Sequence, residues 1–322
     1  MNILGIETTC DETSLALVAD GNKIIEEMTV SQILKHQKYG GVVPDLGARE
    51  HLTNLTQIGA EFIEKVKDHN IDAVAVASKI GLPPAVQVGE AYAAGLAKSL
   101  NVPLIPVNHV LAHMWGVWVD PAFDEKPQFP LLGLIVSGGH TQLITFDSPT
   151  DYEIIGDTLD DAVGEAFDKV ASMLKLPYPG GPQVEEQAKI GDNGAIAFPV
   201  PMKDDERLVF SFSGLKTAVR TYIDKERPNV APGLEKFFVA DVCASFQEVA
   251  FQSIANKVTQ AMKETKLNTL VIGGGVAANQ RLIDVLFREI SEKGFQFDLF
   301  VPNLKYCTDN GSLIAGYAFN HV

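Results

Sequence analysis

The chain has 322 residues, 46% of them hydrophobic and 21% charged, and a formal net charge of −15. This length suggests about two domains with a sizeable core, and the acidic balance argues against capture of nucleic acid by a broad basic surface, so such a partner would need local contacts or another subunit's charge. Cys10, Cys243 and Cys307 are too far apart to form a disulfide framework; with no basic segment before the first strand and no apolar run of ~18 residues, a cytoplasmic location without export or membrane insertion is expected.

In chain order, Asn2 to Ile6 is an apolar strand running into Glu7-Thr8-Thr9-Cys10-Asp11-Glu12. Thr13 to Ala19 alternates as a second strand, Asp20-Gly21-Asn22 turns, and Lys23 to Val30 is a third. Lys35 to Ala48, with Tyr39-Gly40-Gly41 and Pro44, is predicted as a loop feeding a helix from Arg49 to about Lys67. A strand (Asp72 to Ser78), a helix (Val88 to Leu100), a strand (Val102 to Val107) and a helix (His109 to Val119) close this half.

The second half repeats the plan. Strands are predicted at Leu132 to Val136, Thr141 to Phe146 and Tyr152 to Leu159. The closing elements are Thr269 to Ile272, Ala278 to Lys293, Phe297 to Val301 and Thr308 to Phe319. Between them lie a helical stretch (Asp160 to Leu174), a Pro- and Gly-rich irregular stretch (Pro177 to Asp205) and a linker (Glu226 to Gly233). Two β-β-β-α-β-α-β-α halves imply a duplicated α/β fold whose ligands sit in a cleft between the halves.

Several side chains suggest chemistry. On a helix, His109 and His113 stack one turn apart, where two imidazoles can grip one metal ion or simply face solvent. Asp309 can complete a two-histidine, one-carboxylate set, or cap the last helix together with Thr308. Ser137-Gly138-Gly139-His140 and Gly273-Gly274-Gly275 are glycine turns that bring backbone N–H groups close to an anion, or ordinary tight turns. The corresponding turn of the first half places Asp11 and Glu12 where either can orient or deprotonate a nucleophile. Lys216, Arg220, Lys225 and Arg227 form the one basic stretch.

The ordered blocks Glu7 to Thr13, Asn108-His109 with His113, Ser137 to Thr141, Gly164 to Lys169, Tyr178-Pro179-Gly180-Gly181-Pro182, Phe212 to Lys216, and Gly274 to Asn279 with Thr308-Asp309-Asn310 resemble the TsaD family over nearly the whole chain. The resemblance implies a two-lobed actin/Hsp70-like (ASKHA) fold with a central cleft. We expect an N-terminal lobe at 1–125 and a C-terminal lobe at 126–322, with an insertion at about 160–235. It implies transfer of threonylcarbamoyl from threonylcarbamoyl-AMP to N6 of adenosine 37 in tRNAs reading ANN codons, releasing AMP. The other readings of such a fold are a small-molecule kinase and a non-catalytic nucleotide-binding scaffold subunit.

The resemblance further implies that His109, His113 and Asp309 hold one divalent ion, Fe2+ or Zn2+. Ile135, Val136, Ser137, Gly138, Gly139, Asp168, Gly181, Glu185 and Asn279 would line the adenylate pocket. Asp11, Glu12 and His140 are the candidates for the base at N6. The implied partners are tRNA, a paralogous actin-like subunit of the TsaB type and a P-loop ATPase of the TsaE type. Three departures from the family pattern stand out: Leu111 where Glu is usual between the histidines, Lys79-Ile80-Gly81-Leu82-Pro83-Pro84 in place of a Gly-Pro-Gly-Leu run, and Glu185 where Asp is frequent. The first removes a carboxylate expected to support the metal ligands. A His-Glu-x-x-His protease site is excluded, because Val110 follows His109.

Overall fold

The computed structural model describes residues 1–322 and divides them into two compact units. The first comprises Met1–Phe129, Ser148–Asp151 and Val301–Val322; the second comprises Pro130–Asp147 and Tyr152–Phe300. The expected division after residue 125 lies close to this one, but Val301–Val322, expected in the C-terminal lobe, belongs to the first unit.

In the first unit β1 (Asn2–Glu7), β2 (Glu12–Ala19), β3 (Lys23–Ser31), β4 (Ala73–Ser78) and β5 (Leu104–Asn108) form a sheet in the order β3-β2-β1-β4-β5. The first three strands are antiparallel and the last two join in parallel. Successive side chains of a strand face opposite ways, and β1 shows what this organises. Leu4 and Ile6 pack with Leu55, Ile58 and Phe62 of the Pro44–Lys65 helix and with Ala93 and Ala97 of the Pro83–Leu100 helix. Ile3, Gly5 and Glu7 therefore face the other side, where the Gly311–Ala318 helix lies so close that a Cβ on Gly5 would stand 2.1 Å from the Gly311 carbonyl oxygen. That close approach, together with the Gly311 N–H donating to Ser14 Oγ (2.9 Å), draws the C-terminal segment onto the first sheet.

The second unit repeats the order. β6 (Leu131–Val136), β7 (Thr141–Phe146), β8 (Tyr152–Thr158), β9 (Val209–Phe210), β10 (Thr269–Gly273) and β11 (Asp298–Phe300) run β11-β10-β6-β7-β8-β9. The duplication read from the sequence is thus present strand for strand, with β9 as one added edge.

Several helices differ from expectation, among them the Ser213–Glu226 helix, which was not anticipated, and the Pro83–Leu100 helix, expected from Val88. The first-unit helix begins at Pro44 rather than Arg49, because proline is tolerated in a first helical turn that needs no N–H from it. The stretch 177–205, expected to be irregular, contains the Gly180–Ala188 helix, entered through Pro179. The 31-residue Glu235–Thr265 helix was not anticipated; it is buried at every position from Val242 to Gln247, so it lacks the one-sided pattern that marks a surface helix.

Candidate functional site

The first cluster lies within the first unit. Asn108 ends β5 and caps the next turn, its Oδ1 accepting from the Val110 and Leu111 N–H groups at 3.0 and 3.3 Å. Helical turns at His109–Ala112, His113–Trp115 and Gly116–Val119 follow without a break, so the predicted helix is present with a tighter turn at its centre. The spacing brings the two imidazoles together, with ring centroids 4.8 Å apart and planes at 73°. At the other end of the chain Asn310, rather than Thr308 or Asp309, caps the last helix by accepting from the Leu313 N–H (3.1 Å). Asp309, one residue earlier, has its Oδ1 3.3 Å from His113 Nε2 and 3.7 Å from His109 Nε2.

One donor atom from each of His109, His113 and Asp309 lies within 4.8 Å of the others. An ion bonded at ~2.0–2.2 Å holds neighbouring ligand atoms ~3.0–3.5 Å apart. The 3.3 and 3.7 Å separations from Asp309 lie at or near that spacing, and the donor set suits a divalent cation. His113 is buried and its Nδ1 has no hydrogen-bond partner, so its polar business is at Nε2 alone, on the side of Asp309. All three side chains belong to the first unit, whereas the division expected at residue 125 puts Asp309 in the C-terminal lobe.

Acidic groups crowd this cluster. Asp11 is buried, and burial, Asp11 and Asp309 raise the Glu12 pKa well above the ordinary carboxylate range, so its carboxyl group favours keeping a proton. Burial pushes the neighbouring Cys10 thiol far up, assisted by Asp11 and Asp309, so it is no nucleophile. Burial favours neutral His109, yet Glu7 and Asp309 outweigh it and raise its pKa to about 9. Glu7, which sequence reasoning passed over, is 1% exposed; its Oε2 is 2.9 Å from His109 Nδ1 and its Oε1 accepts from the Thr9 N–H at 2.5 Å. A carboxylate therefore supports this histidine even though Leu111 is apolar. The available signal was an acid immediately after a fully apolar strand, at its carboxyl edge.

The departure at Lys79 to Pro84 still builds a close turn. Gly81 has φ +131°, a Cβ there would stand 2.6 Å from Thr9 Cβ, and the Leu82 N–H donates to the Thr9 carbonyl (2.8 Å). This turn braces the backbone between Glu7 and Asp11.

The second cluster lies within the second unit. Ile135 and Val136 are buried in β6, and the turn after them is held by Ser137, whose Oγ accepts from the Gly139 and His140 N–H groups at 3.3 and 3.1 Å. Gly138 and Gly139 leave open space where side chains would stand. Behind the turn, Gly164 packs so closely that a Cβ would lie 2.6 Å from the Ser137 carbonyl oxygen. Asp168 accepts from the Gly180 N–H (2.7 Å), fixing the start of the Gly180–Ala188 helix, and the side of Gly181 is open. Asn279 caps the Gln280–Glu292 helix through the Arg281 N–H (2.9 Å) and donates from Nδ2 to Gln247 Oε1 (2.9 Å), while Glu185 accepts from the Gln280 N–H (3.3 Å). A cavity of about 450 Å³ opens here, bordered by Glu185, Lys189, Asp192, Gln247, Gln280 and Arg281. Gly275 also faces open space. The expected pocket residues thus group around glycine turns and helix starts, whereas Asp11 and Glu12 lie in the first unit and His140 in the second.

The basic stretch is largely neutralised. Lys216 pairs with Asp161, Lys225 with Glu226 and Arg227 with Glu235, so three of its four cations have an acid beside them.

Comparison with known proteins adds to this geometry. Similar solved structures include HypF from T. kodakarensis, with a TM-score of 0.66 at 15% identity over 99% of this chain and 48% of that one. The activator of 2-hydroxyisocaproyl-CoA dehydratase from Clostridium difficile gives a TM-score of 0.52 at 16% identity, covering 100% and 95% of the two chains. The chain therefore spans about half of HypF and almost all of the activator. At these identities the likeness establishes the ASKHA-type α/β fold. Among curated relatives, a tRNA N6-adenosine threonylcarbamoyltransferase from Thermotoga neapolitana is 42% identical over 98% of this chain and 92% of that protein. A protein of the same name from Mesoplasma florum is 40% identical over 100% and 99%. The sequence model of TsaD, described as tRNA N6-adenosine threonylcarbamoyltransferase, matches residues 23–316. With this match over most of the chain and relatives of that identity at full length, the chain belongs to the TsaD family.

Proposed function

We propose that this chain is a tRNA-modifying acyltransferase that moves a threonylcarbamoyl group onto N6 of an adenosine, the activity its relatives are named for. The observation that carries the reading is the His109, His113 and Asp309 cluster in a member of this family. In finer terms, the acceptor is adenosine 37 of tRNAs that read ANN codons and the donor is threonylcarbamoyl-AMP. The amine at N6 of adenine is a poor nucleophile, so the acyl donor must be activated, and a mixed anhydride with AMP meets that need. The new bond joins N6 to the carbamoyl carbon, the bond from that carbon to the phosphate oxygen breaks with its electrons leaving on AMP, and N6 gives up a proton.

The residues divide this work. Glu185, Asn279 and Asp168 suit the sugar and base of the adenylate, and the open backbone at Gly138, Gly139 and Gly275 suits its anionic groups. His109, His113 and Asp309 would hold one divalent ion, Fe2+ or Zn2+, which when bound supplies Lewis-acid polarisation of a donor oxygen. Asp11, Glu12 and His140 are the groups from which the base at N6 is drawn, and Glu12 lies close enough to Asp309 to feel its charge. No helix is long and apolar enough to cross a membrane. A cytoplasmic site of action, with a TsaB-type subunit and a TsaE-type ATPase as partners, suits a chain of net charge −15 that needs help to hold tRNA.

The test is reconstitution. The chain is incubated with ANN-decoding tRNA, threonine, bicarbonate, ATP and an adenylate synthase, with and without the two partners. Modified adenosine 37 supports the proposal. A phosphorylated small molecule would instead identify a kinase, and no product in any combination would identify a scaffold.

A further inference from the structure

We propose that Glu7 is a positioning residue that orients His109 toward the metal, an assignment that rests on the reading of the His109, His113 and Asp309 cluster as a metal site. Glu7 ends β1 on the face that receives the C-terminal segment, and it is buried there with both oxygens occupied. Oε1 is held by the Thr9 N–H at 2.5 Å, which leaves Oε2 aimed at His109 Nδ1 at 2.9 Å, with the Thr9 hydroxyl a further 3.2 Å neighbour of that nitrogen.

The consequence concerns which ring nitrogen is available. A carboxylate oxygen can only accept, so it keeps the proton on Nδ1, and the proton that an ion displaces is the one on Nε2, the nitrogen directed toward Asp309. Histidines that bind metals are commonly oriented in this way by a carboxylate on the far nitrogen, and loss of that group typically costs ~10–100-fold in metal affinity. His113 has no such partner on Nδ1. The two imidazoles are therefore unequal, and His109 is the one whose tautomer is dictated by the protein.

Glu7→Gln tests this with little change of shape. The amide has one acceptor oxygen where the carboxylate has two. If that oxygen keeps the Thr9 N–H, the NH2 faces His109 Nδ1 and favours the proton on Nε2, where it blocks the metal. Zinc affinity of the chelated and repurified chain is measured by competition with a chromophoric chelator, alongside the Tm of the metal-free chain. We expect binding to weaken ~10–100-fold while the Tm stays within a few degrees. Unchanged zinc affinity in E7Q overturns the proposal and leaves the metal reading standing, whereas a wild-type chain that binds neither zinc nor ferrous ion overturns both. Should E7Q fold poorly, 15N NMR of histidine-labelled wild-type chain with zinc answers the same question. Zinc on Nε2 of His109 with a proton on Nδ1 supports the proposal, and zinc on Nδ1 overturns it.

Discussion

Gly274 allows the second unit's packing to be tested quantitatively. It follows β10 with φ +95° and ψ 160°, a region open essentially to glycine alone. A Cβ there would stand 2.4 Å from the Val136 carbonyl oxygen and 2.8 Å from its carbon, both backbone atoms that cannot swing aside. Gly274→Ala thus incurs backbone strain of ~1–3 kcal/mol and overpacking of ~1–3 kcal/mol, about 4 kcal/mol together. At ~2–4 °C per kcal/mol for a body of this size, the Tm should fall by about 10 °C. Gly275 is the matched control: nothing lies within 4 Å of its missing Cβ, so Gly275→Ala should leave the Tm within ~2 °C. Differential scanning calorimetry on the two variants decides the matter. If G274A melts within 2 °C of wild type, the close approach of the two turns is not what holds the strand ends together. The same pair separates stability from binding, because the added methyl of G275A enters the space through which an anion reaches the backbone. A lost hydrogen bond to a charged group is worth ~1.5–3 kcal/mol, so AMP affinity by calorimetric titration should drop ~10–100-fold with the fold intact.

Three further outcomes follow from individual contacts. Removing metal with a strong chelator, or replacing His109 with Ala, should abolish threonylcarbamoyl transfer, and Fe2+ or Zn2+ should restore it to the chelated wild type alone; full activity after thorough chelation, measured by nucleoside mass spectrometry, would take the ion out of the reaction. His51 is buried with Nε2 donating to the Cys10 carbonyl (3.0 Å) and Nδ1 facing Thr13 Oγ1 (2.8 Å) and Gln32 Nε2 (3.2 Å), and burial lowers its pKa. The unfolded chain therefore takes up this proton first: stability is complete above the ordinary value of ~6.5 and declines as pH falls from there through the lowered value. Urea midpoints between pH 7.5 and 5 should show that decline, and His51→Gln should flatten it; an equal slope in the variant refutes the assignment. Asp160 accepts from the Phe212 and Ser213 N–H groups (2.8 and 3.2 Å) and from Ser211 Oγ (2.5 Å), tying down the entry to the Ser213–Glu226 helix. Asp160→Ala should cost ~1–3 kcal/mol, and an unchanged denaturation midpoint would show these contacts to be dispensable.

How much was legible in the sequence follows from where periodicity is strong. Strands β1, β2, β6 and β7 are short apolar runs closed by glycine or small polar turns, and both sheets are found where those runs predict them. The Gly180–Ala188 helix was hidden because Pro179-Gly180-Gly181-Pro182 has the composition of a turn, and only the Asp168 bond to the Gly180 N–H shows why a helix can start there. The Glu235–Thr265 helix was hidden for the opposite reason, since burial on several sides erases amphipathic contrast. The His109, His113 and Asp309 cluster was legible as residue types and spacing, but not the unit from which Asp309 comes, because chain order says nothing of a segment that returns to the first sheet. Glu7 left only a weak signal, an acid at the end of an apolar strand, and its role becomes plain only from its two hydrogen bonds.

The duplicated sheet order gives these details a common logic. In each unit the first strand runs to the middle of its sheet and ends in a turn, β1 at Glu7 and β6 at Val136. After β1 the chain places Glu7 against His109, with Asp11 and Glu12 following in the same turn, acidic groups that suit a cation. After β6 it places Ser137, Gly138 and Gly139, with open space where side chains would be, and the matching end of β10 contributes Gly274 and Gly275. Backbone donors exposed in that way suit an anion. One topological position has thus been furnished twice with opposite chemistry: side-chain carboxyl groups in the first unit, bare peptide groups in the second. Each turn suits its own kind of ligand, a cation beside the side chains of the first and an anion beside the bare backbone of the second. An exchange of chemistry between the turns, such as Gly138→Asp in the second unit, would place an acid where the anion should lie and should abolish AMP binding while zinc binding at His109, His113 and Asp309 persists. Loss of zinc in that variant would show that the two turns do not hold their ligands independently.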